Sequence, residues 1–385
     1  MAAGKPRLLF VTRNLPPLRG GMERLNAHLL QELATAFEVA VCCPAECRPV
    51  LPQDIDVRTA PLRPLSRFLL GSAASAVMLA RHLRPQLVLA GSGLTVPLVR
   101  MAAAVSGARS GAYLHGLDIV VNHRVYRRLW VPQFRALDLV LVNSRHTAGL
   151  AVRAGVSAQR LNIVHPGVEM PDWDPTKAAE FRQRFGLGDR PLLLSVGRLT
   201  ARKGLAEFIE AVMPGLVAAV PGLVLAVIGG EASNSLKSDG AGQLQRIRHT
   251  IERLALQNQV KLLGEQDDAT VCGALFASTA LVFPVLDIPG DIEGFGMVAV
   301  EAAAHGVRTI AFAVGGVVDA IDDPVSGSLV PAGDYAAMKD KLIQLLVAGG
   351  PAAQARQESR DFAAGFRWEL FGERVRSVCM GVVTG

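Results

Sequence analysis

Ile288-Pro-Gly-Asp-Ile-Glu293-Gly-Phe-Gly296-Met-Val-Ala-Val-Glu301-Ala-Ala-Ala-His-Gly306 follows directly on the apolar run Ala280-Leu-Val-Phe-Pro284. The run is short, continuous and bounded by turn residues, which predicts a strand covered on both faces. Glycines punctuate the turn, and the helix-forming residues after Gly296 predict a helix beginning there. A helix N-terminus reached through glycine presents unsatisfied N–H groups and a positive dipole end, so it suits a phosphate. Glu293 stands in the turn and Glu301 about a turn and a half inside the helix. Carboxylates beside such a site can accept hydrogen bonds from sugar or ribose hydroxyls.

The strand–turn–helix unit recurs outward from this stretch. Pro191-Leu-Leu-Leu-Ser-Val196 predicts a strand, followed by Gly197-Arg198-Leu-Thr-Ala-Arg-Lys203-Gly204 and a helix to about Val217. Two cations spaced across a short loop can converge on a diphosphate, Arg198 with a planar fork and Lys203 as a point charge. Further strands are expected at Leu223–Gly229, Val260–Leu263 and Thr309–Ala313, and a polar loop at Glu231–Gly242. The first half opens with Arg7-Leu-Leu-Phe-Val-Thr12, then a loop, then Gly20-Gly21-Met22-Glu23 at the start of a helix. Strands are expected at Glu38–Cys42, Asp56–Thr59, Leu87–Ala90, Ala112–His115, Asp138–Ser144 and Leu161–His165. The first strand lacks the G-x-G-x-x-G turn of a dinucleotide-binding unit, which argues against a dehydrogenase. The Pro- and Asp-rich tract Pro166–Pro175 reads as a linker between two α/β domains.

Taken together, these motifs resemble glycosyltransferase family 4 (group 1), retaining enzymes of the two-domain GT-B fold. The spacing Glu293-x7-Glu301 around Phe295-Gly296 and the form G-R-x4-K-G carry the resemblance. Gly20-Gly21-x-Glu23, His115-Gly116 and the order of the segments support it along nearly the whole chain. It implies two Rossmann-like, doubly wound parallel-sheet domains facing across a cleft. Residues 1–168 would bind the acceptor, residues 169–365 the nucleotide sugar, and residues 366–385 would form a helix crossing back to the first domain. It further implies that Glu293, Arg198, Lys203 and His115 serve catalysis, with Glu293 on the sugar hydroxyls and Arg198 and Lys203 clamping the diphosphate. Gly20, Gly21, Glu23, Gly294, Phe295, Gly296, Met297, Val298 and Glu301 would line the donor, Glu301 at the ribose. Gly264 and Gln266 would edge the base; the family usually has an apolar residue where Gln266 stands, which leaves the base open. The reaction implied is attack by the acceptor on the leaving-group face, the donor phosphate taking the proton.

Composition narrows the setting. At 385 residues and 50% hydrophobic content the chain can bury two cores, and with 5% aromatics those cores must be aliphatic. The cysteines (Cys42, Cys43, Cys47, Cys272, Cys379) are odd in number and match no zinc or thioredoxin spacing, and no secretory pattern opens the sequence; both point to a reducing cytoplasm. Through Val168 there are 20 Lys/Arg against 8 Asp/Glu, a net of +12, and from Glu169 onward 20 against 26, a net of −6. A basic first half suits an anionic partner, and with no nucleic-acid module in view a membrane surface is favoured over nucleic acid. Leu62–Leu83, apolar between Arg63, Arg67, Arg81, His82 and Arg84, reads either as a membrane-touching amphipathic helix or as a core helix with basic ends. A second basic run, His123 to Arg135, predicts an exposed helical segment.

Two D-x-D sequences, Asp54/Asp56 and Asp172/Asp174, lie in a strand entry and in the linker tract, away from the phosphate motifs. No metal and no cofactor are therefore expected, and the nucleotide diphosphate sugar acts as co-substrate. The function expected is transfer of a hexose, mannose-type from GDP by preference, to a lipid-linked or glycan acceptor in cell-surface polysaccharide or glycolipid synthesis. A peripheral position at the inner membrane face goes with it. The rivals are a nucleotide-sugar epimerase or hydrolase of the same architecture, which would convert donor without acceptor, and a non-catalytic nucleotide-sugar-binding subunit.

Overall fold

A computed structural model of the chain describes residues 4–231 and 242–385. The polar loop expected at Glu231–Gly242 lies almost wholly outside the described residues. The chain divides into two compact units, one of residues 1–167 with 368–385, the other of residues 168–367.

The first unit holds a seven-stranded sheet. Its strands are β1 (Arg7–Val11), β2 (Glu38–Pro44), β3 (Asp56–Ala60), β4 (Leu87–Ala90), β5 (Arg109–Leu114), β6 (Leu139–Val142) and β7 (Leu161–Ile163). They run in the order β3-β2-β1-β4-β5-β6-β7, with every neighbouring pair parallel. The second unit holds β8 (Leu192–Val196), β9 (Val224–Ile228), β10 (Val260–Gly264), β11 (Ala280–Phe283), β12 (Arg308–Phe312) and β13 (Gly327–Val330). Their order is β10-β9-β8-β11-β12-β13, again all parallel. Helices cover both faces, so strands such as Leu-Val-Leu-Ala in β4 and Leu-Val-Leu-Val in β6 are buried at every residue.

In both sheets the chain winds outward from the first strand, returns, and winds the other way from the fourth. That reversal opens a crevice at the carboxyl ends of the two central strands, the place where ligands bind in open α/β sheets. It lies between β1 and β4 in the first unit and between β8 and β11 in the second.

Three local differences from the sequence reading have physical causes. The single helix expected to about Val217 is two, Leu205–Ala211 and Met213–Ala219. Pro214 has no N–H to continue the ladder and is tolerated only in the first turn of a new helix. The tract read as a linker is packed onto the second unit: Val168 bridges to Arg367, Arg360 donates to the Pro171 carbonyl at 2.9 Å, and Trp173 meets Phe276 edge-on at 5.1 Å. Its last Asp, Asp174, accepts from Thr176 N at 3.0 Å and caps a helix, Pro175–Arg184, that the sequence reading did not anticipate. The C-terminal helix, Trp368–Thr384, packs against Gly21–Ala36 in the first unit. Trp368 stacks on His28 with ring centroids 3.6 Å apart, and Arg376 pairs with Glu32.

All five cysteines are free, with Cys272 half-buried and the others buried. Among the described residues no helix is long and apolar enough to cross a membrane.

Candidate active site

The crevice between β8 and β11 gathers the charged residues of the second unit. After β8 the chain turns through a short 3-10 segment, Ala201–Lys203, and is stopped by Gly204 at φ +63°. That residue must be glycine twice over, because a Cβ there would also stand 2.1 Å from the Pro284 carbonyl oxygen. The Arg202 carbonyl accepts from Leu286 N at 2.7 Å, so the loop after β8 is tied by its backbone to the loop after β11. Gly296 sits at φ +93° as the cap of helix Met297–Ala304, turning the first helical amides toward the same strand edge.

Lys203 Nζ donates to Glu293 Oε2 at 2.8 Å, and Arg202 Nε reaches the same oxygen at 3.2 Å. Arg202 Nη1 also pairs with Asp291 Oδ1 at 3.2 Å. Lys203 Nζ lies 4.5 Å from the centroid of the Phe283 ring, over its face. All four charged side chains are largely buried. Burial alone pushes the Glu293 carboxyl upward, but Lys203 and Arg202 together hold it at about 2. Burial lowers Lys203 despite Glu293, with Arg202 and Arg198 adding to the effect. Behind the carboxylate, Gly316 N donates to the Glu293 carbonyl at 2.9 Å, so the Gly315–Gly316 turn fixes its backbone.

Arg198 is exposed and has no hydrogen bond or ion pair among the described residues. Glu301, the fifth residue of its helix, is half-buried, and its carbonyl accepts from His305 Nδ1 at 2.7 Å. Phe295 is buried, while Gly294, Met297 and Val298 are partly exposed around the helix start. Gln266 turns its amide back onto its own turn, donating to the Leu263 carbonyl at 2.6 Å; Gly264 is exposed and its carbonyl accepts from Gly229 N at 2.8 Å.

In the first unit the expected residues sit at the β1–β4–β5 edge. Asn26, on the helix that Gly20 and Gly21 open, places Nδ2 within 3.1 Å of Thr12 Oγ1, the Asn14 carbonyl and the Gly91 carbonyl. Glu23 is buried; its Oε1 accepts from Asn14 Nδ2 at 2.8 Å, and Oε2 has no partner among the described residues. His115, also buried, holds Nε2 2.9 Å from the Gly91 carbonyl, which can only accept, so the ring proton is on Nε2. Asp118 Oδ1 accepts from His115 N at 3.0 Å and Oδ2 from Gly93 N at 2.8 Å. Asn26 thus links the Glu23 side to the His115 side through the end of β4.

Sequence reasoning missed Arg202, Asp291 and Asn26. Arg202 adjoins Lys203, and Asp291 lies within Ile288–Gly306, but nothing in their spacing pairs them. Asn26 carries one usable signal, a polar residue in register with the buried leucines Leu25, Leu29, Leu30 and Leu33 of its helix. Neither D-x-D sequence reaches these loops, and among the described residues no three His, Cys, Asp or Glu side chains cluster as a metal site requires.

Two parallel sheets of this order, each with glycine-rich loops at its reversal point, define the GT-B architecture. The chain belongs to the group 1, family 4 glycosyltransferases: residues 177–362 match the family described as Glycosyl transferases group 1, and residues 19–170 match Glycosyltransferase Family 4. Among curated proteins it is 26% identical to a GDP-mannose-dependent alpha-(1-6)-phosphatidylinositol monomannoside mannosyltransferase of Mycolicibacterium smegmatis, over 97% of this chain and 98% of that protein. It is 31% identical to a D-inositol 3-phosphate glycosyltransferase of Mycobacterium ulcerans, over 71% of this chain but 56% of that protein. The fold is that of Anabaena Alr3699/HepE, crystallised with UDP (TM-score 0.81, 20% identity, 97% of this chain and 100% of that one). A sucrose-phosphate synthase of Thermosynechococcus elongatus shares it too (TM-score 0.80, 20% identity, 98% and 99%).

Proposed function

We propose that the chain transfers a hexose, mannose by preference, from a nucleotide diphosphate sugar to a lipid-linked or glycan acceptor, with retention and without a metal. The observation that carries this reading is the meeting of Lys203 with Glu293, 2.8 Å apart, at the crevice where β8 and β11 end. A buried cation beside a buried carboxylate, next to a glycine-opened helix start, offers separate partners for a diphosphate and for sugar hydroxyls. Arg198, exposed on the same loop, is available to the outer phosphate. Arg198, Lys203 and the helix amides, drawn onto the departing diphosphate, supply the stabilisation that a metal supplies elsewhere; each such contact is worth about 3 kcal/mol. Glu293, held ionised, accepts from the hexose, and Glu301 from the ribose.

The mannosyl donor is favoured by the full-length relative that uses GDP-mannose. A lipid-linked acceptor is favoured by the first unit's surface. On helix Leu65–Leu83, Leu70 is 74% and Met78 61% exposed, flanked by Arg67 and Arg81. Exposed Met101 and Val105 lie on helix Val96–Ser106, which packs beside it. Basic residues around exposed apolar side chains fit an anionic membrane surface.

A thermal-shift panel of GDP- and UDP-sugars tests the reading, since a ligand bound only by the native state raises its stability by about 2.7 kcal/mol at a hundredfold excess over Kd. GDP-mannose is expected to give the largest shift and to be consumed only when a lipid or glycan acceptor is added. Consumption without acceptor would make the protein an epimerase or hydrolase; binding without consumption under any acceptor would make it a binding subunit. No shift with any nucleotide sugar overturns the proposal.

A further inference from the structure

Arg202 is attached to the Ile288–Glu293 turn and the residues before it at three points. Its carbonyl accepts from Leu286 N at 2.7 Å, Nη1 pairs with Asp291 and Nε with Glu293, both at 3.2 Å. Asp291 is delivered by a tight turn in which its N–H donates to the Ile288 carbonyl at 2.9 Å, with Gly290 inside the turn. One planar guanidinium therefore spans two carboxylates two residues apart through donors held in a rigid fork, which the shorter reach of a lysine ammonium reproduces only in part. Lys203 has no such anchor: its contacts are Glu293 and the face of Phe283, and its long stem leaves Nζ able to turn.

We propose that Arg202, gripped by Asp291, is a positioning residue that keeps Glu293 ionised and aimed at the hexose when Lys203 turns to the donor diphosphate. The proposal rests on the donor-site reading above and goes one step beyond it. A diphosphate arriving at the crevice competes with Glu293 for Lys203. Were Lys203 the sole counter-ion, its departure would leave a largely buried carboxylate unpaired. That carboxylate would then take up a proton and present a donor where the sugar hydroxyls need an acceptor. Arg202 supplies the charge that stays. The groups facing Glu293 are Lys203 and Arg202 from the loop after β8 and Asp291 from its own turn, with Arg198 acting through Lys203. In the unliganded protein the carboxyl is already held low by Lys203 and Arg202 together.

The test is the affinity of the full chain for GDP-mannose relative to GDP, by calorimetric titration from pH 5 to pH 8, in wild type and in R202M, R202K, D291N and E293Q. The ratio isolates the contribution of the hexose. It is expected to be flat with pH in wild type and low but flat in E293Q. In R202M it is expected to fall about tenfold from pH 7.5 to pH 5, because Glu293 has then lost both close cations, Arg202 to the substitution and Lys203 to the diphosphate, and each such loss raises a carboxyl pKa by about 1–3 units. R202K should restore part of the loss, and D291N should shift the profile in the same direction by less. A packing role alone would lower the ratio without moving its pH dependence. A flat R202M profile, with E293Q still lowering the ratio, overturns the role of Arg202 and leaves the site standing. An unaffected ratio in E293Q, or no binding of either GDP-mannose or UDP-glucose by wild type, overturns the site and this inference together. R202K and D291N keep charge or volume at the position, so the comparison survives if R202M fails to fold.

Discussion

Replacing Gly204 by alanine puts a methyl group 2.1 Å from the Pro284 carbonyl oxygen and 3.0 Å from Leu286 Cγ, on a residue held at φ +63°. The left-handed backbone costs a non-glycine residue about 1–2 kcal/mol. The collision is with backbone, which cannot swing aside, and forced repacking of that kind adds about 1–3 kcal/mol. Alanine returns about 0.4–1 kcal/mol by narrowing the unfolded ensemble. The net loss is therefore about 1–4.5 kcal/mol, or a fall of about 2–18 °C in Tm for a unit of this size. Gly186 is the control: it has nearly the same φ, +60°, but nothing within 4 Å of its Cβ position. Gly186→Ala should cost at most about 1–1.5 kcal/mol, strain less entropy. Differential scanning calorimetry of both variants, read on the transition that nucleotide shifts, separates collision from strain. Because the collision lies between the two loops that carry Lys203 and Glu293, Gly204→Ala should also weaken GDP-mannose binding, and Gly186→Ala should not. Equal Tm losses in the two variants would refute the close approach of the loops, and with it the geometry assigned to Lys203.

Arg198→Ala and Lys203→Ala are each expected to cut turnover about a hundredfold, the scale of losing one preorganised charge-stabilising contact; near-normal turnover in both would remove the clamp. Turnover should persist in excess EDTA, and its loss with recovery on adding Mg2+ would contradict a metal-free site. His28, stacked on Trp368, is held at about 4 by burial first and Arg24 second, below its ordinary 6.5. Its contribution to stability is thus complete above pH 6.5 and is lost as pH falls through 4, so the Tm of the first unit should decline across that window and His28→Phe should flatten the decline. An unchanged slope in His28→Phe would assign the acid sensitivity elsewhere. Anionic vesicles should sediment the wild-type chain at low salt, with Leu70→Ser and Met78→Ser each weakening the effect several-fold; failure of the wild type to sediment would count against a membrane-borne acceptor.

What could be read from the sequence follows from where the information sits. Parallel strands buried on both faces are continuous apolar runs, so Leu87–Ala90 and Leu139–Val142 stand out unaided. β5 begins three residues earlier than its apolar stretch suggests, because Arg109, Ser110 and Gly111 enter the sheet through pairing with Leu87, Val88 and Leu89 rather than through hydrophobicity. Helix Pro175–Arg184 buries only Phe181, too little to print a helical stripe on so polar a segment. The G-R-x4-K-G and E-x7-E spacings were legible for a related reason: each lies within one strand–turn–helix unit, where local geometry fixes the offset. Arg202 and Asp291 are 89 positions apart, and no periodicity links them. Their meeting depends on β11 lying beside β8, which is a property of how the sheet is wound. The winding reverses after β10, and that reversal makes neighbours of two strands separated by two complete strand–helix units. It follows that the loops carrying Lys203 and Glu293 can be found from spacing, whereas the charges bracing them can be found only once the strand order is known. Arg202 should then tolerate replacement only where the Asp291 partner changes with it: D291N should lessen the further damage done by R202M, so that the two together cost less than the sum of the single changes.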